Sequence, residues 1–276
     1  MVLRSVSVVC SAALIAGLPA TAWADDTVTD PTPTAEPTPT PEPTTEPEPT
    51  AKPKHLPRQL VIGESRRGRP IVAKRQGRAD AERVLLVLGQ MHGDEPYGRY
   101  VVDQVRKLKP RKNTAVWTIR TMNPDGAKLR TRRNANRVDL NRNFPDNWQA
   151  GDPGSLFYAG PRPASEPETR AFMAGAEQIK PDAVVSYHQR ANVIDRGSRK
   201  KTRKWVKRLS RDLRLPISRV SCVTKCVGTM SGWFNTQFRG WAVTVELPAR
   251  VSVPRQRSMA RAMIRLAPDL KPTAKR

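Results

Sequence analysis

The chain has 276 residues, of which 49 are Lys or Arg and 25 are Asp or Glu, so its net charge is +24 at pH 7. This length allows one or two domains, and the charge predicts attraction to polyanions such as anionic cell-wall polymers, anionic membranes or nucleic acid. Nucleic acid ranks last among these partners because the sequence shows no nucleic-acid-binding motif and no aromatic stripe between its basic residues.

The first 24 residues are typical of a secretory signal peptide. Arg4 gives the positive start, Val6–Leu18 an apolar stretch and Ala22–Ala24 a small-residue cleavage site. We therefore expect residues 1–24 to be removed and the protein to be secreted, either free outside the cell or associated with the cell wall. The alternative is a retained anchor. The apolar stretch is shorter than the about 20 residues that cross a membrane, so we expect no transmembrane anchor.

Residues 25–56 are rich in Pro, Thr and Glu and almost free of apolar side chains. Such a segment buries too little surface to fold and predicts an extended, disordered tether, which is either a spacer or a leader without a role. Residues 1–55 hold three basic and seven acidic residues, which leaves 46 basic and 18 acidic residues in the rest, a net charge of +28. The positive charge therefore belongs to a folded domain predicted at 57–270 and a short basic tail at 271–276.

Apolar runs alternate with helical patterns between residues 57 and 270. Runs bounded by turn residues predict strands at 59–63, 70–73, 84–89, 115–121, 183–188 and 242–247. Helical spacing predicts helices at 100–108, 165–179 and 259–266, and Ser165 with Glu168 matches a capping box. Continuously apolar strands that alternate with helices indicate an α/β fold, a single-domain α/β/α sandwich around a mixed, largely parallel, twisted sheet.

Two of the three histidines follow predicted strands. His92 and Glu95 come after the third strand, and His188 ends the fifth. The carboxyl ends of such strands gather at one edge of the sheet, and two imidazoles and a carboxylate there would give zinc three ligands and an open fourth position, as in a catalytic site. A His-x-x-Glu pattern alone is weak, and the alternative is a histidine hydrogen-bonded within its loop. The pattern as a whole predicts a hydrolase with one Zn²⁺.

Two further features carry chemistry. Residues 131–145 are dense in Arg and Asn, which are donors that suit a carboxylate; the alternative is a solvated basic surface. Glu246 ends an apolar strand, where a carboxylate is costly unless it is paired or functional. Cys222 and Cys226 are the cysteines that follow the signal peptide, and an oxidising compartment favours a disulfide between them over a second metal site.

Seven segments together resemble the carboxypeptidase A/B-type zinc peptidases, and within that family the bacterial murein peptide amidase branch. The segments follow the family order over roughly residues 60–265, and their joint occurrence is highly specific. They are His92–Glu95, Asn123–Gly126, Asn134–Asn136, Val138–Pro145, Ser165–Thr169, Val185–His188 and Val245–Pro248.

The resemblance implies a role for each matching residue. It implies that zinc is held by His92, Glu95 and His188, with Asp139 orienting the His92 ring. It implies that Asn141 and Arg142 grip the free C-terminal carboxylate of a peptide and that Met230, in the pocket-floor segment Gly228–Trp233, contacts the substrate. It also implies that Arg132 polarises the scissile carbonyl and that Glu246 is the general base.

The chain departs from the family pattern at three places. Ser221–Val227 lacks the tyrosine that many members carry, so an aromatic lid is not implied there. Gly228–Trp233 contains no acidic residue, which argues against selectivity for a C-terminal Lys or Arg and favours a neutral or zwitterionic side chain. Arg137 replaces a glycine that is usual in the murein branch.

The leading hypothesis is a secreted zinc carboxypeptidase that acts on peptidoglycan stem peptides. A carboxypeptidase of ordinary protein C-termini is the nearest alternative, and a non-catalytic module that binds cell-wall polyanions is the alternative from a different class. The presence of His92, Glu95, His188 and Glu246 favours an enzyme, because a binding module would be expected to lose a ligand or the base.

Overall fold

The computed structural model describes residues 55–111, 113–197, 200–220 and 226–273, so the predicted signal peptide and most of the predicted tether and basic tail lie outside the described residues. Eight strands form one sheet: β1 (Gln59–Glu64), β2 (Pro70–Gly77), β3 (Arg83–Leu88), β4 (Thr114–Ile119), β5 (Ala183–Gln189), β6 (Val193–Asp195), β7 (Ile217–Ser218) and β8 (Trp241–Leu247). Their order is β1-β2-β4-β3-β5-β8-β6-β7.

The centre of the sheet is parallel and its flanks are mixed. The neighbours β4, β3, β5 and β8 run parallel, whereas β1 and β2 pair antiparallel and β6 pairs antiparallel with β8. The predicted mixed, largely parallel sheet is confirmed. The parallel centre places the carboxyl ends of β3, β5 and β8 at one edge.

The described residues form six helices: α1 (Tyr97–Val105), α2 (Pro124–Leu129), α3 (Pro167–Ile179), α4 (Arg203–Leu213), α5 (Met230–Gln237) and α6 (Val253–Leu266), with short 3₁₀ turns at Leu140–Arg142, Lys200–Thr202 and Ala267–Asp269. All of these helices except α2 contribute to the cores on the two faces of the sheet. Successive side chains of a strand point to opposite faces. Leu85 and Val87 of β3 accordingly join a core with α1, α4 and α6, whereas Leu86 and Leu88 join a second core with α3 and α5. These layers confirm the predicted α/β/α sandwich.

No helix among the described residues is both long and apolar enough to cross a membrane.

The capping box predicted at Ser165 is wrong. Glu166 is the N-cap of α3 and makes no side-chain capping hydrogen bond, and Pro167 occupies the first turn. The carboxylate of Glu168 instead accepts from the backbone N–H of Arg66 at 2.9 Å and from Asn134 at 2.9 Å. The Glu168 carboxylate therefore bonds to donors that are distant in the sequence, and it does not bond to the helix N-terminus as a capping box requires.

Candidate active site

Three side chains converge where β3 and β5 end. His92 and Glu95 lie in the loop after β3, and His188 lies near the end of β5. Nδ1 of His92 is 2.8 Å from Oε1 of Glu95, Nδ1 of His188 is 3.1 Å from Oε2 of Glu95, and the two Nδ1 atoms are 3.2 Å apart. All three residues are buried, and their candidate ligand atoms lie within 4.8 Å of one another. The fold thus brings the three predicted metal ligands to one point.

A carboxylate holds the far side of the His92 ring. Nε2 of His92 is 3.0 Å from Oδ1 of Asp139, so the other ring nitrogen, Nδ1, is the one that faces Glu95. Arg132 donates to Oδ2 of Asp139 from Nε at 3.0 Å and from Nη2 at 2.8 Å. A carboxylate on the outer nitrogen of a ligating imidazole fixes the tautomer and orientation of the ring. Asp139 has the geometry that its predicted orienting role requires.

The charges of this cluster favour a cation at its centre. Burial by itself lowers the pKa of His92, but the carboxylates of Glu95 and Asp139 outweigh it and raise that pKa to about 9. Burial by itself raises the pKa of Glu95, but His92 and His188 outweigh it and hold that pKa well below its usual range. The negative charge that stabilises a protonated imidazole stabilises a divalent cation at the same place.

The donor set fits zinc. Catalytic zinc takes three protein ligands of the nitrogen and carboxylate-oxygen types and keeps a fourth position open, and the two Nδ1 atoms with Glu95 supply that set. The backbone N–H of Gln189 donates to Oε2 of Glu95 at 3.2 Å and helps to hold the carboxylate in place. Within the described part of the chain, no other group of three His, Cys, Asp or Glu side chains is close enough to hold a metal.

A cleft of about 480 Å³ contains the predicted carboxylate anchors and the predicted base, Asn141, Arg142 and Glu246. The Oδ1 atom of Asn141 accepts from the backbone N–H of Met230 at 3.1 Å, which fixes the carboxamide. Arg142 donates from Nη1 to the backbone carbonyl of Asn141 at 2.8 Å, but its buried Nε has no hydrogen-bond partner among the described residues. A buried donor without a partner is costly, so Arg142 is suited to receive an anion in this cleft.

Met230 lies elsewhere than the sequence led us to expect. Its side chain is 1% exposed and belongs to the hydrophobic core, and Met230 is not among the described residues that line the cleft. Its backbone N–H, rather than its side chain, serves the site, because it positions Asn141. The predicted contact of the Met230 side chain with substrate is therefore wrong, and the role of Met230 is to position Asn141 through its backbone.

Glu246 lies beside the metal cluster because β5 and β8 are in register. Its Cα is paired with that of His188 across the two parallel strands, and its side chain lines the cleft. Burial, helped by the nearby charge of Glu95, raises the pKa of Glu246 above its usual value. A carboxylate with a raised pKa next to a metal site is a suitable general base.

An aromatic side chain that the sequence did not single out contacts both arginines of the site. The ring centre of Phe157 lies 5.1 Å from the guanidinium carbon of Arg132 and 5.6 Å from that of Arg142. Cations at these distances are attracted to the face of the ring. Phe157 lies in the loop before α3, outside any helical or strand pattern, so no periodicity pointed to it.

A second group missed from the sequence holds the Arg- and Asn-rich segment in place. Nδ2 of Asn134 donates to Glu166 at 2.7 Å and to Glu168 at 2.9 Å, and Nδ2 of Asn136 donates to Glu166 at 2.8 Å. The sequence signal that could have indicated this contact is the occurrence of an Asn-x-Asn motif at Asn134–Asn136 and a Glu-x-Glu motif at Glu166–Glu168. These contacts join the segment to the start of α3, so the alternative of a solvated basic surface does not describe these asparagines.

The cleft contains acidic side chains that the pocket-floor segment lacks. Asp146 and Asp195 both line it, from the loop after Arg142 and from the end of β6. The cleft therefore contains carboxylates even though Gly228–Trp233 has none. The expected preference for a neutral or zwitterionic substrate side chain over a basic one does not follow from this cleft.

The cysteine prediction and the lid lie at a gap in the described residues. Cys226 is disulfide-bonded, and Cys222 lies outside the described residues, as does most of Ser221–Val227, where the family tyrosine is missing. Arg137, which replaces a family glycine, has a φ of 60°, so this residue adopts the left-handed conformation that glycine adopts most easily.

Known proteins with similar sequences are named murein peptide amidases or carboxypeptidases. Murein peptide amidase A of Escherichia coli K12 is 33% identical over 159 residues, which are 52% of this chain and 64% of the relative. Murein peptide amidase A of Vibrio campbellii is 30% identical over 203 residues, 67% of this chain and 79% of the relative. Carboxypeptidase SOL1 of Arabidopsis thaliana is 32% identical over 151 residues, 49% of this chain and 29% of the relative. The chain thus spans less than two thirds of the first and third of these relatives.

A solved structure and a family model complete the comparison. The crystal structure of murein-tripeptide amidase MpaA from Escherichia coli O157 has a TM-score of 0.62 and 28% identity, and the match covers 78% of this chain and 96% of that protein. Bovine thrombin-activatable fibrinolysis inhibitor, at 19% identity and a TM-score of 0.64, shares the fold. The sequence model of the zinc carboxypeptidase family matches residues 50–251. With the metal cluster and the cleft in place, this chain belongs to the zinc carboxypeptidase family of peptide hydrolases.

Proposed function

We propose that this protein is a secreted zinc carboxypeptidase that hydrolyses a peptide bond at or near a free C-terminus, and that peptidoglycan stem peptides are its substrates. The observation that carries the proposal is the convergence of His92, Glu95 and His188 next to a cleft that holds two carboxylate anchors and a base. The names of the amidase relatives and the signal-peptide pattern support the substrate and the secretion.

The site's own residues divide the chemistry among them. Zinc in such a site supplies Lewis-acid chemistry, because it lowers the pKa of water to about 7 and polarises a carbonyl. Arg142 and the NH₂ group of Asn141 bind the terminal carboxylate and set the distance from it to the scissile bond. Glu246 takes the proton of the attacking water and passes it to the leaving nitrogen.

Arg132 is held ready for the oxyanion. Two of its nitrogens are used by Asp139, and Nη1 lies 3.4 Å from Oε1 of Glu95. Nη1 is therefore the Arg132 nitrogen that faces the cluster, where negative charge develops on the carbonyl oxygen. A well-placed donor of this kind contributes about 3–4 kcal/mol.

The test compares a stem peptide with a free C-terminus and the same peptide as its C-terminal amide, each with and without a chelator. We expect cleavage of the free-acid peptide only, and the chelator should stop it. Mass spectrometry of the products measures the cleavage. In Arg142→Gln, kcat/KM for the acid should fall by about 10–100-fold, since a hydrogen bond to a charged group contributes about 1.5–3 kcal/mol. Equal rates on acid and amide would contradict the proposal.

A general peptide carboxypeptidase is the second candidate. Asp146 and Asp195 favour it, because two carboxylates in the cleft would suit a cationic side chain on an ordinary peptide. A series of free-acid peptides that differ in the last residue separates the two: faster cleavage of peptides ending in Lys or Arg than of stem peptides supports the second candidate. Binding to purified cell walls without cleavage of any peptide would support a non-catalytic module instead.

A further inference from the structure

A second concavity, of about 1320 Å³, lies along α4 outside the catalytic cluster. Seven of the described residues that line it are cationic, and one lining residue, Asp269, is acidic. The sequence from Arg196 to Arg219 explains this composition, because it contains eleven basic residues and a single acid, Asp212. We call this concavity the α4 groove.

Its cations form an ordered array. Arg203, Lys207 and Arg211 are four residues apart, so they lie along one face of α4, and all three line the groove. Arg196 and Arg219 line it from the segments that follow β6 and β7. Like charges at this helical spacing repel and destabilise the helix, and the opposite face of α4 carries the apolar contacts that keep it folded.

Most of this charge is not neutralised inside the protein. Arg208 pairs with Asp212 and, at 2.9 Å, with Asp269, and Arg211 is 3.2 Å from Asp212. In contrast, the other five lining cations make no ion pair with any residue in the described ranges: Arg196, Arg203, Lys204, Lys207 and Arg219. Five cations without an ion pair around one concavity create a strong positive potential, which concentrates polyanions.

The shape and lining of the groove select among polyanions. A concave groove fits a single flexible chain better than a flat membrane surface. The aromatic side chain that lines it, Trp205, is only 7% exposed and stacks on Trp241 at 4.9 Å, so it offers no free ring on which a base can stack, as nucleic-acid channels do. Guanidinium and ammonium groups bind phosphate well. We propose that the α4 groove binds a linear phosphodiester polymer that carries no bases.

The groove adjoins the catalytic cleft. Gly197, Val206 and Arg219 line both concavities. A polymer held along α4 would therefore keep the cleft next to the surface that bears the polymer, although the polymer is not hydrolysed. This site does not depend on the proposed peptidase activity, and a binding measurement tests it separately.

The probe is end-labelled poly(glycerol phosphate), and its binding to the full chain is followed by fluorescence anisotropy across a salt series. The test variant combines Arg203→Gln, Lys207→Gln and Arg211→Gln. The matched control, Lys107→Gln, Lys109→Gln and Arg111→Gln, removes the same charge from exposed positions that do not line the groove. We expect the groove variant to bind at least about tenfold more weakly, with a salt slope smaller by about two to three, and the control to bind nearly as the wild type does.

Three results would overturn the proposal: equal weakening in both variants, tighter binding of single-stranded DNA than of the polymer, or tighter binding to anionic lipid vesicles. A second measurement uses the wild-type protein, so its result does not depend on whether the groove variant folds. Acetylation of Lys204 and Lys207 should slow when the polymer is present, while that of Lys107 and Lys109 should not; uniform protection would also overturn the proposal. Cleavage of a free-acid peptide should be unchanged in the groove variant, which separates this test from that of the proposed function.

Discussion

At the scale of single residues, the site depends on carboxylates in different surroundings. Glu95 is surrounded by imidazoles, which hold its pKa low, whereas the partial burial of Glu246 raises its pKa. The first is thereby suited to remain an anionic ligand and the second to accept and return a proton. The register between β5 and β8 places Glu246 opposite His188, the histidine that contacts Glu95.

Replacing Glu246 with Gln should lower kcat by about 10²–10⁴-fold, the range that general acid–base catalysis contributes. The amide keeps the shape but accepts no proton, so zinc content measured by elemental analysis should equal that of the wild type. Glu177→Gln, at an exposed position of α3, is the matched control and should leave kcat unchanged. Undiminished turnover in the Glu246 variant would remove this residue from the mechanism.

Replacing Asp139 with Asn should weaken zinc binding by about 10–100-fold, because the orienting partner of a ligating histidine is lost. Competition with a chromogenic chelator measures the affinity. Asp152→Asn, in an exposed loop, serves as the control. An unchanged zinc affinity, accompanied by a lower unfolding temperature of the zinc-free protein, would assign Asp139 a purely structural role.

Replacing Phe157 with Ala should raise KM more than it lowers kcat, since the ring faces both Arg132 and Arg142. Each cation–π contact at a site that is not fully desolvated contributes about 0.5–1 kcal/mol, so the loss of two contacts should lower kcat/KM by about 5–30-fold. Leu156→Ala changes the neighbouring side chain, which is 58% exposed, and should leave kcat/KM within about twofold. Similar kinetics of the two variants would contradict a role of Phe157 in holding the arginines.

At the scale of elements, the loop that carries Arg142 is held against the segment before α5. Gly228 has a φ of 61°, and its N–H and carbonyl bond to the backbone of Asp146 and Phe144. A Cβ at this position would come within 2.1 Å of the carbonyl oxygen of Arg142. The close approach of these two backbones sets the floor of the cleft, and it requires glycine.

Gly228→Ala should therefore displace the Arg142 loop. The left-handed conformation alone costs an alanine about 1–2 kcal/mol, and the clash adds to this, so urea unfolding should show a loss of more than about 1 kcal/mol together with a higher KM. Gly151→Ala, where the nearest atom to a new Cβ is 3.9 Å away, is the control for the loss of a loop glycine. Equal stability of both variants would show that the loop can yield.

At the scale of the whole molecule, zinc would join parts that are distant in sequence. Its ligands come from the loop after β3 and from β5, 93 residues apart between Glu95 and His188. A ligand that binds only the native state stabilises it, by about 2.7 kcal/mol at 100 times its Kd. We expect a chelator to abolish activity and lower the unfolding temperature, with both restored by Zn²⁺ but not by Mg²⁺, which prefers oxygen ligands. An unchanged unfolding temperature would argue against metal in the folded site.

The prediction of the fold from sequence was strongest where a local pattern spans a whole element. The segments 84–89, 183–188 and 242–247 are mainly apolar and fall within one residue of β3, β5 and β8, because strands that are buried on both faces require apolar side chains on both. The pattern failed where distant groups compete for the same atoms. The capping box predicted at Ser165 is the example, because Glu168 accepts instead from the backbone N–H of Arg66 and from Asn134.

The sequence by itself determined the α/β class, and it pointed to His92, Glu95, His188 and Glu246 as candidate ligands and base because they follow or end apolar strands and match segments of the family. Only the tertiary structure decided which other side chains reach the cleft. It brought Asp146 and Asp195 into the cleft, placed Phe157 against Arg132 and Arg142, and took Met230 into the core. The physical reason is that strand periodicity is a local property of the chain, whereas the path of a loop depends on contacts with residues far away in the sequence, which no local pattern records.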